Sequence, residues 1–278
     1  VTGGTDVDAV LNSANATINT GTTAVTLDAD AMGSGDTVTL NDSGDVSLFN
    51  ANDGITVDGS TSYSGVLAVR TGDLSAGHKV VVNTGSAEST IIGSGGEVDV
   101  DATALADNTD LNISGDSTVD VTGLQGDVRA TQSSGFIDIT TATSAVDLVI
   151  DTGAGSMDVT AQSGDVAIDA TVMNGGETLA IDGAADVDVS GAGTNVTVDA
   201  DSGGNTLTGT FDVVMQDNAT GVQVVTGSNT ASVATGSGSS ATVNVNASAL
   251  ANNTLLTLTG AGTVTATGLV GNADASGL

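Results

Sequence analysis

The sequence predicts an all-β protein, folded as an elongated parallel β-solenoid (β-helix) of short stacked strands. Three observations lead to this prediction. Runs of Val, Ile and Thr alternate with polar residues, turn residues separate the runs, and one block of sequence recurs along the chain. In addition, only three Phe, one Tyr and no Trp occur among 278 residues. A narrow core of stacked aliphatic side chains does not need large aromatic residues.

The predicted strands follow one another roughly every 8–11 residues, and Gly, Asp, Asn or Ser stands between them. Clear examples in chain order are TVTLND (37–42), GITVDG (54–59), LAVRTG (67–72), KVVVNTG (79–85), FIDITTA (136–142), DLVIDTG (147–153), MDVTAQ (157–162), NVTVDAD (195–201), DVVMQD (212–217) and LLTLTG (255–260). The best helix candidates, 6–14 and 102–110, are short. The chain has no Pro, which agrees with an uninterrupted β-ladder because Pro cannot donate to one.

The recurring block has four copies, which begin at similar but unequal intervals, at Val25, Val98, Val166 and Val243. The predicted organisation is one continuous array: residues 1–24 as the tail of a preceding repeat, then 25–97, 98–165 and 166–242 as repeats, and 243–278 as the first half of a fourth. Repetition of this kind is typical of solenoids and related repeat architectures. Unequal intervals suit a solenoid, because its corners accept insertions.

Each copy follows one template. An alternating segment ends in Asp or Asn followed by Ala, and a Leu or Met stands three positions after that Ala. Six positions further on comes another apolar residue, the first of the next strand. A tetrad of the form apolar-x-Thr-Gly precedes each copy, at 18–21, 82–85, 150–153 and 224–227.

A string of small β-sandwiches, one for each repeat, is the alternative architecture. Sandwiches of the immunoglobulin kind need about 100 residues and a large core. Three Phe and one Tyr in the whole chain do not provide an aromatic core for every repeat. The solenoid is therefore favoured, and the sandwich remains the second possibility.

The charge balance excludes some partners. The chain carries 34 acidic and three basic residues, with a formal net charge of −31 at pH 7. Nucleic-acid binding and docking on anionic lipid both depend on Lys and Arg, so neither is expected. No apolar run reaches the roughly 20 residues of a membrane helix, so no membrane insertion is expected.

Catalysis is not predicted. The chain has no Cys, which excludes a Cys nucleophile and a Cys-ligated zinc site. His78 is the only His, and no Gly-x-Ser-x-Gly segment accompanies it as a nucleophile elbow. The triplet Asn108–Asp110 resembles part of the motif of pectin-cleaving solenoid enzymes, but Asn108 recurs as Asn253 in the repeat template. We therefore interpret it as a structural position.

Calcium is the one cofactor that the sequence suggests, because Ca²⁺ takes oxygen ligands from Asp, Asn and backbone carbonyls. The candidate ligands stand in or beside recurring turns: Asp45, Asp99, Asp101, Asp165, Asp186, Asp188, Asp199 and Asp201. The alternative is that these Asp residues are solvated corner residues, which turn geometry favours.

Two stretches, GSGGEVDVD (93–101) and SGGNTLTG (202–209), come close to the pattern Gly-Gly-x-Gly-x-Asp-x-apolar-x. The first has Glu97 where the third Gly belongs, and the second lacks the Asp, so no strict motif is present. By composition and repeats, the chain resembles the giant, repetitive, Cys-poor bacterial surface proteins and adhesins of the type I-secreted, RTX-like kind. This resemblance implies an extracellular location at the bacterial cell surface.

A chain that repeats a β-unit provides length or surface rather than one unique pocket. We therefore expect an extracellular structural repeat region of a bacterial surface protein: a fibre, stalk or surface-layer element that forms a stiff acidic rod, with calcium as the ion that assembles or stiffens it. End-to-end or lateral self-association is expected, because an open solenoid end is an unpaired sheet edge.

The alternative function is a carbohydrate- or surface-binding adhesin module with its site in the non-repeating segment 60–79. That segment contains Tyr63, Arg70, His78 and Lys79, and these four residues are the binding candidates. The corresponding partner is a cell-surface polysaccharide.

Overall fold

A computed structural model describes residues 7–60, 62–145, 147–201 and 207–278 of the chain. All regular structure in these residues is β-strand, and the strands stack in parallel into a β-solenoid of about 13 turns. The predicted solenoid is thereby confirmed, and the alternative of tandem sandwiches is wrong. The chain divides into two compact units, Val1–Asp138 and Ile139–Leu278.

Unit 1 contains the first eleven strands. They are β1 (Val7–Asn12), β2 (Ala16–Asn19), β3 (Val25–Ala31), β4 (Thr37–Asn41), β5 (Val46–Ala51), β6 (Thr56–Asp58), β7 (Leu67–Asn83), β8 (Ser89–Asp101), β9 (Asp110–Gly115), β10 (Thr118–Leu124) and β11 (Asp127–Ser133). The division between the units falls within β12 (Ile137–Thr141).

Unit 2 contains the remaining strands. They are β13 (Leu148–Asp151), β14 (Met157–Ala161), β15 (Asp165–Asp169), β16 (Thr178–Gly183), β17 (Asp186–Ala192), β18 (Thr197–Asp199), β19 (Phe211–Met215), β20 (Val222–Val225), β21 (Ala231–Ala234), β22 (Thr242–Asn246), β23 (Leu255–Thr259), β24 (Thr263–Thr267) and β25 (Asn272–Gly277).

Each turn of the solenoid contributes one strand to each of two parallel sheets. In unit 1, sheet 1 consists of β1, β3, β5, the first parts of β7 and β8, β9 and β11, and sheet 2 consists of β2, β4, β6, the last parts of β7 and β8, and β10. In unit 2, sheet 1 contains the odd-numbered strands from β13 to β25, and sheet 2 contains the even-numbered strands from β14 to β24.

The register gives the length of a turn. In sheet 1 of unit 1, six successive pairings lead from Val7 to Val128, and in sheet 1 of unit 2 six lead from Leu148 to Ala273. One turn therefore takes roughly 20 residues, at the short end of the range for solenoid repeats. The recurring block of the sequence is accordingly several turns long.

The core consists of inward-pointing aliphatic side chains that lie above one another from turn to turn. Alternate residues of most strands are buried, as in β12 and β14, where every second residue is inside, whereas β24 and β25 have no buried residue. Leu67, Leu111 and Leu256 have no exposed surface. Val and Ile favour β-strands, and burial of Val, Ile and Leu in these columns removes apolar surface from water, so both effects stabilise the same positions.

The repeated template forms the corners. In the copy that begins at Val98, the backbone N–H of Leu105 donates to the carbonyl of Ala102 at 3.1 Å, which closes a turn, and both side chains are buried. The other copies do the same between Met32 and Ala29, Met173 and Ala170, and Leu250 and Ala247. The Ala side chain is buried near the end of the strand, and the Leu or Met side chain packs in the core at the corner.

A second turn in each template uses a residue with left-handed backbone. Asn108 has a φ of 59° and Asn253 a φ of 68°, and Gly35 and Gly176 occupy the same place in the other two copies. Asn and Gly tolerate this conformation better than other residues. The interpretation of Asn108 as a structural position agrees with this geometry.

The Thr of each apolar-x-Thr-Gly tetrad is fully buried: Thr20, Thr84, Thr152 and Thr226. The backbone N–H of Thr84 donates to the carbonyl of Asp101, which ends the alternating segment of the following copy. Thr152 and Thr226 donate in the same way to Asp169 and Asn246. In these three copies the tetrad and the template are thus neighbouring layers of one sheet, whereas Thr20 donates to the carbonyl of Asn41.

The structure also shows what one copy spans. In unit 1, sheet 1 runs through Val25, Val46, Leu67 and Ser89, three turns, and the chain then crosses to Val98 in sheet 2. In unit 2, the path from Val166 in sheet 1 to Val243 in sheet 2 is again three turns and a half. Within each unit, successive copies therefore lie on opposite sheets. The predicted division of the chain into the repeats given above stays a prediction.

Candidate functional site

Two of the calcium candidates, Asp101 and Asp199, shape corners. Oδ1 of Asp101 accepts hydrogen bonds from the backbone N–H of Thr103 at 3.0 Å and from its hydroxyl at 2.7 Å. Oδ1 of Asp199 accepts from the backbone N–H of Asp201 at 2.9 Å. These are Asx turns, in which the side chain replaces a backbone turn. Residues 202–206, most of the second RTX-like stretch, lie outside the described residues.

Two further candidates connect successive turns. Oδ1 of Asp45 accepts a hydrogen bond from the backbone N–H of Val66 at 3.0 Å, and Oδ1 of Asp186 accepts from that of Thr210 at 2.7 Å. In both pairs the donor lies one turn further along the chain. The carboxylates thereby satisfy backbone donors at places where a strand begins.

The remaining candidates lie on sheet faces. Asp99 pairs with Lys79, whose Nζ contacts Oδ2 of Asp99 and lies 3.2 Å from Oε1 of Glu97. The pKa of Lys79 is raised, first by its hydrogen bond to Asp99. Lys79 therefore neutralises part of the acidic face of sheet 2 in unit 1.

On sheet 1 of unit 2, Asp165 lies opposite Asp186, and Asp188 lies opposite Asp212. Partial burial raises the pKa of Asp188, and repulsion from Asp212, Asp165 and Asp186 adds to the shift. None of the three basic residues of the chain belongs to unit 2, so no Lys or Arg of that unit pairs with these carboxylates.

No group of three or more His, Asp or Glu side chains is arranged to hold a metal ion within the part of the chain that the structure describes. The eight Asp candidates are spread over corners, strand beginnings and faces of both units. Calcium binding by these residues stays a prediction.

The four binding candidates do not form one site. Tyr63 is buried, with 3% of its surface exposed, and its hydroxyl donates to the carbonyl of Val66 at 2.7 Å. Burial raises the pKa of its phenol. The ring packs against the backbone of Gly59 and Gly85, where a Cβ atom would come within 3.2 Å and 2.8 Å of Cδ1. Tyr63 thus has a place in the fold, and a ligand contact through its ring would require the corner to open.

His78 and Lys79 stand where β7 passes from sheet 1 to sheet 2. His78 Nδ1 lies 3.3 Å from Oδ2 of Asp53, and Oδ1 of Asp53 accepts the backbone N–H of Lys79 at 3.0 Å. Both side chains already have carboxylate partners. They therefore hold the long strand in place.

Arg70 differs from the other three. It is exposed, and it has no ion pair or side-chain hydrogen bond with any residue that the structure describes. It lines an open groove with a volume of about 610 Å³ on the outside of unit 1. The other lining residues are mostly polar: Asn50, Thr71, Gly72, Asp73, Ile92, Gly93, Ser94, Gly115, Asp116, Gln132 and Ser134.

A second groove of about 400 Å³ adjoins the first and shares Ile92 and Gln132 with it. Arg129 lines this second groove, and its Nε donates to Oδ2 of Asp110 at 2.8 Å. Two of the three basic residues in the chain therefore lie along one continuous depression on the outer face of sheet 1.

Irregular pairing and small residues form this depression. The register between β7 and β8 shifts after Arg70, and the register between β9 and β11 shifts after Arg129. Bulges of this kind redirect side chains and are common next to binding sites. Gly115 (φ +100°) lies on the floor, where a Cβ atom would be 1.8 Å from the carbonyl oxygen of Gly93. No side chain can fill the depression at that point.

Arg70 was a predicted binding residue, whereas Ile92, Gln132 and Arg129 were not. These three residues come from later turns of the solenoid, and only the register brings them next to Arg70. One signal in the sequence could have pointed to Arg129. The chain has only three basic residues, so an Arg in an alternating strand segment, where other outward positions are mostly acidic or neutral, is unusual.

Comparisons with protein-family models, with curated proteins and with solved structures find no match to this chain. Within the described ranges, no helix has the length and apolarity needed to span a membrane. The function proposed below is therefore argued from the fold, the charge and the grooves of this chain.

Proposed function

We propose that this chain is a structural repeat region of a bacterial surface protein, in which stacked turns provide length and an acidic outer surface. The observation that supports this proposal most is the construction of the fold. The same corner, with a buried Ala and a buried Leu or Met, recurs in four copies, and each turn adds one layer to two parallel sheets. Repeat architectures of this kind gain stability from neighbouring layers, so length can grow without a new core.

The surface also suits this role. Most outward positions carry Asp, Asn, Thr or Ser, and the formal net charge is −31 at pH 7. Charge of one sign keeps neighbouring molecules apart at low salt, and the repulsion is screened as salt rises. Cations such as calcium would then bring acidic surfaces together, which is the role that we assign to calcium in this proposal.

The direct test is negative-stain electron microscopy of the purified chain together with circular dichroism, in millimolar Ca²⁺ and in EGTA. The expected result is a β-rich spectrum and elongated particles in both solutions, with lateral or end-to-end association only in Ca²⁺. Compact particles in both solutions would refute the structural role. Elongated particles that do not associate in Ca²⁺ would contradict the proposed role of calcium but would still support the structural role of the fold.

The extracellular location is tested separately. Antibodies against this chain should label intact cells of the bacterium that produces it, and brief protease treatment of those cells should remove the label. Labelling only after the cells are broken open would contradict a surface location.

A further inference from the structure

We propose that the outer face of sheet 1 in unit 1 is a binding groove for an acidic oligosaccharide, with a sugar carboxylate on Arg70 and sugar hydroxyls along the floor. The groove comprises the two adjoining depressions that Arg70 and Arg129 line. This inference goes beyond the structural role proposed above, and it does not depend on it.

The anchor is Arg70, which has no ion-pair partner among the residues that the structure describes. Lys79 and Arg129 each contact a carboxylate, as does His78, whereas Arg70 contacts none among the described residues. A guanidinium presents its donors in a planar fork that matches the two oxygens of a carboxylate. In a chain with 34 acidic residues, an exposed Arg without a carboxylate partner is a free site for an anionic group.

The floor of the groove has a regular row of side chains. Arg70 pairs with Ile92, Ile92 with Ser114, and Ser114 with Gln132, one residue from each of four successive turns. Three strand spacings give this row a length of roughly 14 Å. Beside it runs a second row, Thr90, Asn112 and Arg129. An extended chain of about three sugar rings fits such a double row.

The polar groups suit hydroxyls. Gln132 offers an amide that both donates and accepts, and the Ser114 hydroxyl does the same. Asp73 and Asp116 form the wall next to Arg70, and each already accepts a hydrogen bond, from Ser94 and Gly95 respectively. Their remaining oxygens accept from sugar hydroxyls. Ile92 provides an apolar contact at the centre, where a sugar ring can lie.

The overall negative charge does not prevent this pairing. At physiological salt the screening length is about 8 Å, so carboxylates outside the groove repel the ligand weakly. Asp73 and Asp116 line the groove itself, so the ligand has to face them with hydroxyl groups while its carboxylate contacts Arg70. The volumes of the two depressions, about 610 Å³ and 400 Å³, each lie within the range of ordinary ligand clefts, about 300–1,000 Å³, but the lining is more polar than in most of them. Binding is expected to weaken as salt rises, since one ion pair contributes to it.

The experiment is isothermal titration calorimetry of the full chain with uronic acid oligosaccharides of three to six sugar units. The panel contains oligogalacturonate, oligomannuronate, oligoguluronate and hyaluronan fragments, and each is paired with its methyl ester, which keeps the hydroxyls and loses the charge. At least one acid should bind, and its ester should bind at least about tenfold more weakly, as expected for loss of a charge-assisted pair. Equal binding of acid and ester, or no binding by any member, would overturn the proposal.

Three variants test the location. Arg70→Gln should weaken the acid at least about tenfold and leave the weaker ester unchanged. Ser114→Tyr, which places a ring across the floor, should weaken both. Lys79→Gln is the matched control, since it changes the net charge by the same amount on sheet 2 and should bind as the parent does. Loss of binding in Lys79→Gln equal to that in Arg70→Gln would show a general charge effect and refute the site.

Circular dichroism and the thermal midpoint of each variant show whether it is folded. The oligosaccharides are recovered after titration and sized, because a binding groove returns them at unchanged length. Shortened products would replace the binding proposal by a catalytic one. Failure of all ligands would not affect the structural role, which depends on particle shape.

Discussion

The outer face of sheet 1 carries both basic and acidic side chains in unit 1, whereas unit 2 contains no Lys or Arg, although the scaffold is of the same kind. In unit 1 this face holds Arg70, Ile92 and Arg129, whereas in unit 2 it holds Asp188 and Asp212 in adjacent strands. Beneath both faces, alternate residues are fully buried aliphatic side chains. The inward positions and the corners are thus constrained by the fold, and the outward positions are available for function.

The corners support this conclusion because they are the same in both units. Leu105 in unit 1 and Leu250 in unit 2 occupy matching places, 1% and 2% exposed. Their N–H groups close the same turn, onto Ala102 and Ala247. Substitutions at matching corner positions should therefore reduce the stability of both units equally. Substitutions on the outer faces should have different effects in the two units.

The largest effect is expected from truncation of the corner Leu. Leu105→Ala and Leu250→Ala should each reduce the free energy of unfolding by about 2–5 kcal/mol, because each leaves a cavity in the closed end of a turn. Urea unfolding followed by circular dichroism measures the loss. Leu74→Ala is the control, since Leu74 is half-buried in the irregular part of β7 and should lose about 1 kcal/mol or less. A small loss at Leu105 with a large one at Leu74 would contradict the shared role of the corners.

The second-largest loss of stability is expected at the corner residue with a left-handed backbone, Asn108 or Asn253. Asn108→Ala and Asn253→Ala should each destabilise by about 1 kcal/mol, because Ala adopts a left-handed φ less readily than Asn. Asn108→Gly and Asn253→Gly should retain or recover the stability of the parent. Asp107→Ala, at the exposed neighbouring residue, is the control and should change little. A loss in the Gly variants as large as in the Ala variants would show that the Asn side chain, rather than its backbone, is what matters.

Much of this scaffold could be predicted from the sequence, because period-two alternation and turn residues are local signals. The equivalence of Asn108 and Asn253 already indicated a structural position. The length of a turn could not be predicted, because it differs along the chain: the turn from Leu111 to its partner Val128 is shorter than the turn from Ala231 to its partner Leu256. Because the length of a turn was unknown, the number of turns in each copy, three and a half, could not be predicted either.

The candidate site was predictable only in part, for the same reason. Arg70 was predicted because it lies in the non-repeating segment 60–79, yet its neighbours in the groove come from later turns whose register the sequence does not reveal. Tyr63 was selected with it because the two are close in the chain. The structure buries Tyr63 and exposes Arg70, and an aromatic residue at a corner has no local signal that separates these two outcomes.

The acidic face of unit 2 predicts a pH effect. The pKa of Asp188 is raised above its ordinary value, so its charged form is less stable in the folded chain than in the unfolded one. Asp188→Asn should therefore raise the free energy of unfolding at pH 7 and with it the thermal midpoint; because Asp188 is exposed and solvent screens the repulsion, the gain should stay below about 1 kcal/mol. The gain should vanish well below pH of about 3.9, where the carboxyl group is protonated in both states.

A corner carboxylate should behave in the opposite way. The hydroxyl of Ser60 lowers the pKa of Asp58, with further hydrogen bonds from the Ser60 N–H and from Asn83. Asp58 stabilises the fold above its unfolded pKa, and this contribution is lost as pH falls through the lower folded pKa. Asp58→Asn should thus lower the thermal midpoint at pH 7 and have little effect at the acidic end. Thermal scans of both variants between about pH 2 and pH 7 decide the matter, and two curves with the same sign would refute the distinction between faces and corners.

The smallest effect on stability separates the two Arg residues of the groove. Arg129 pairs with Asp110 at 2.8 Å, and both side chains are partly exposed, so Arg129→Gln should cost less than about 1 kcal/mol, falling towards zero at about 1 M salt. Arg70 has no partner among the described residues, so Arg70→Gln should leave the urea midpoint unchanged at every salt concentration. If Arg70→Gln instead destabilised the chain as Arg129→Gln does, Arg70 would have a structural partner, and its value as a free anchor would be lost. A chain in which Arg129 contributes to stability and Arg70 only to binding uses its few basic residues for two separate purposes on one face.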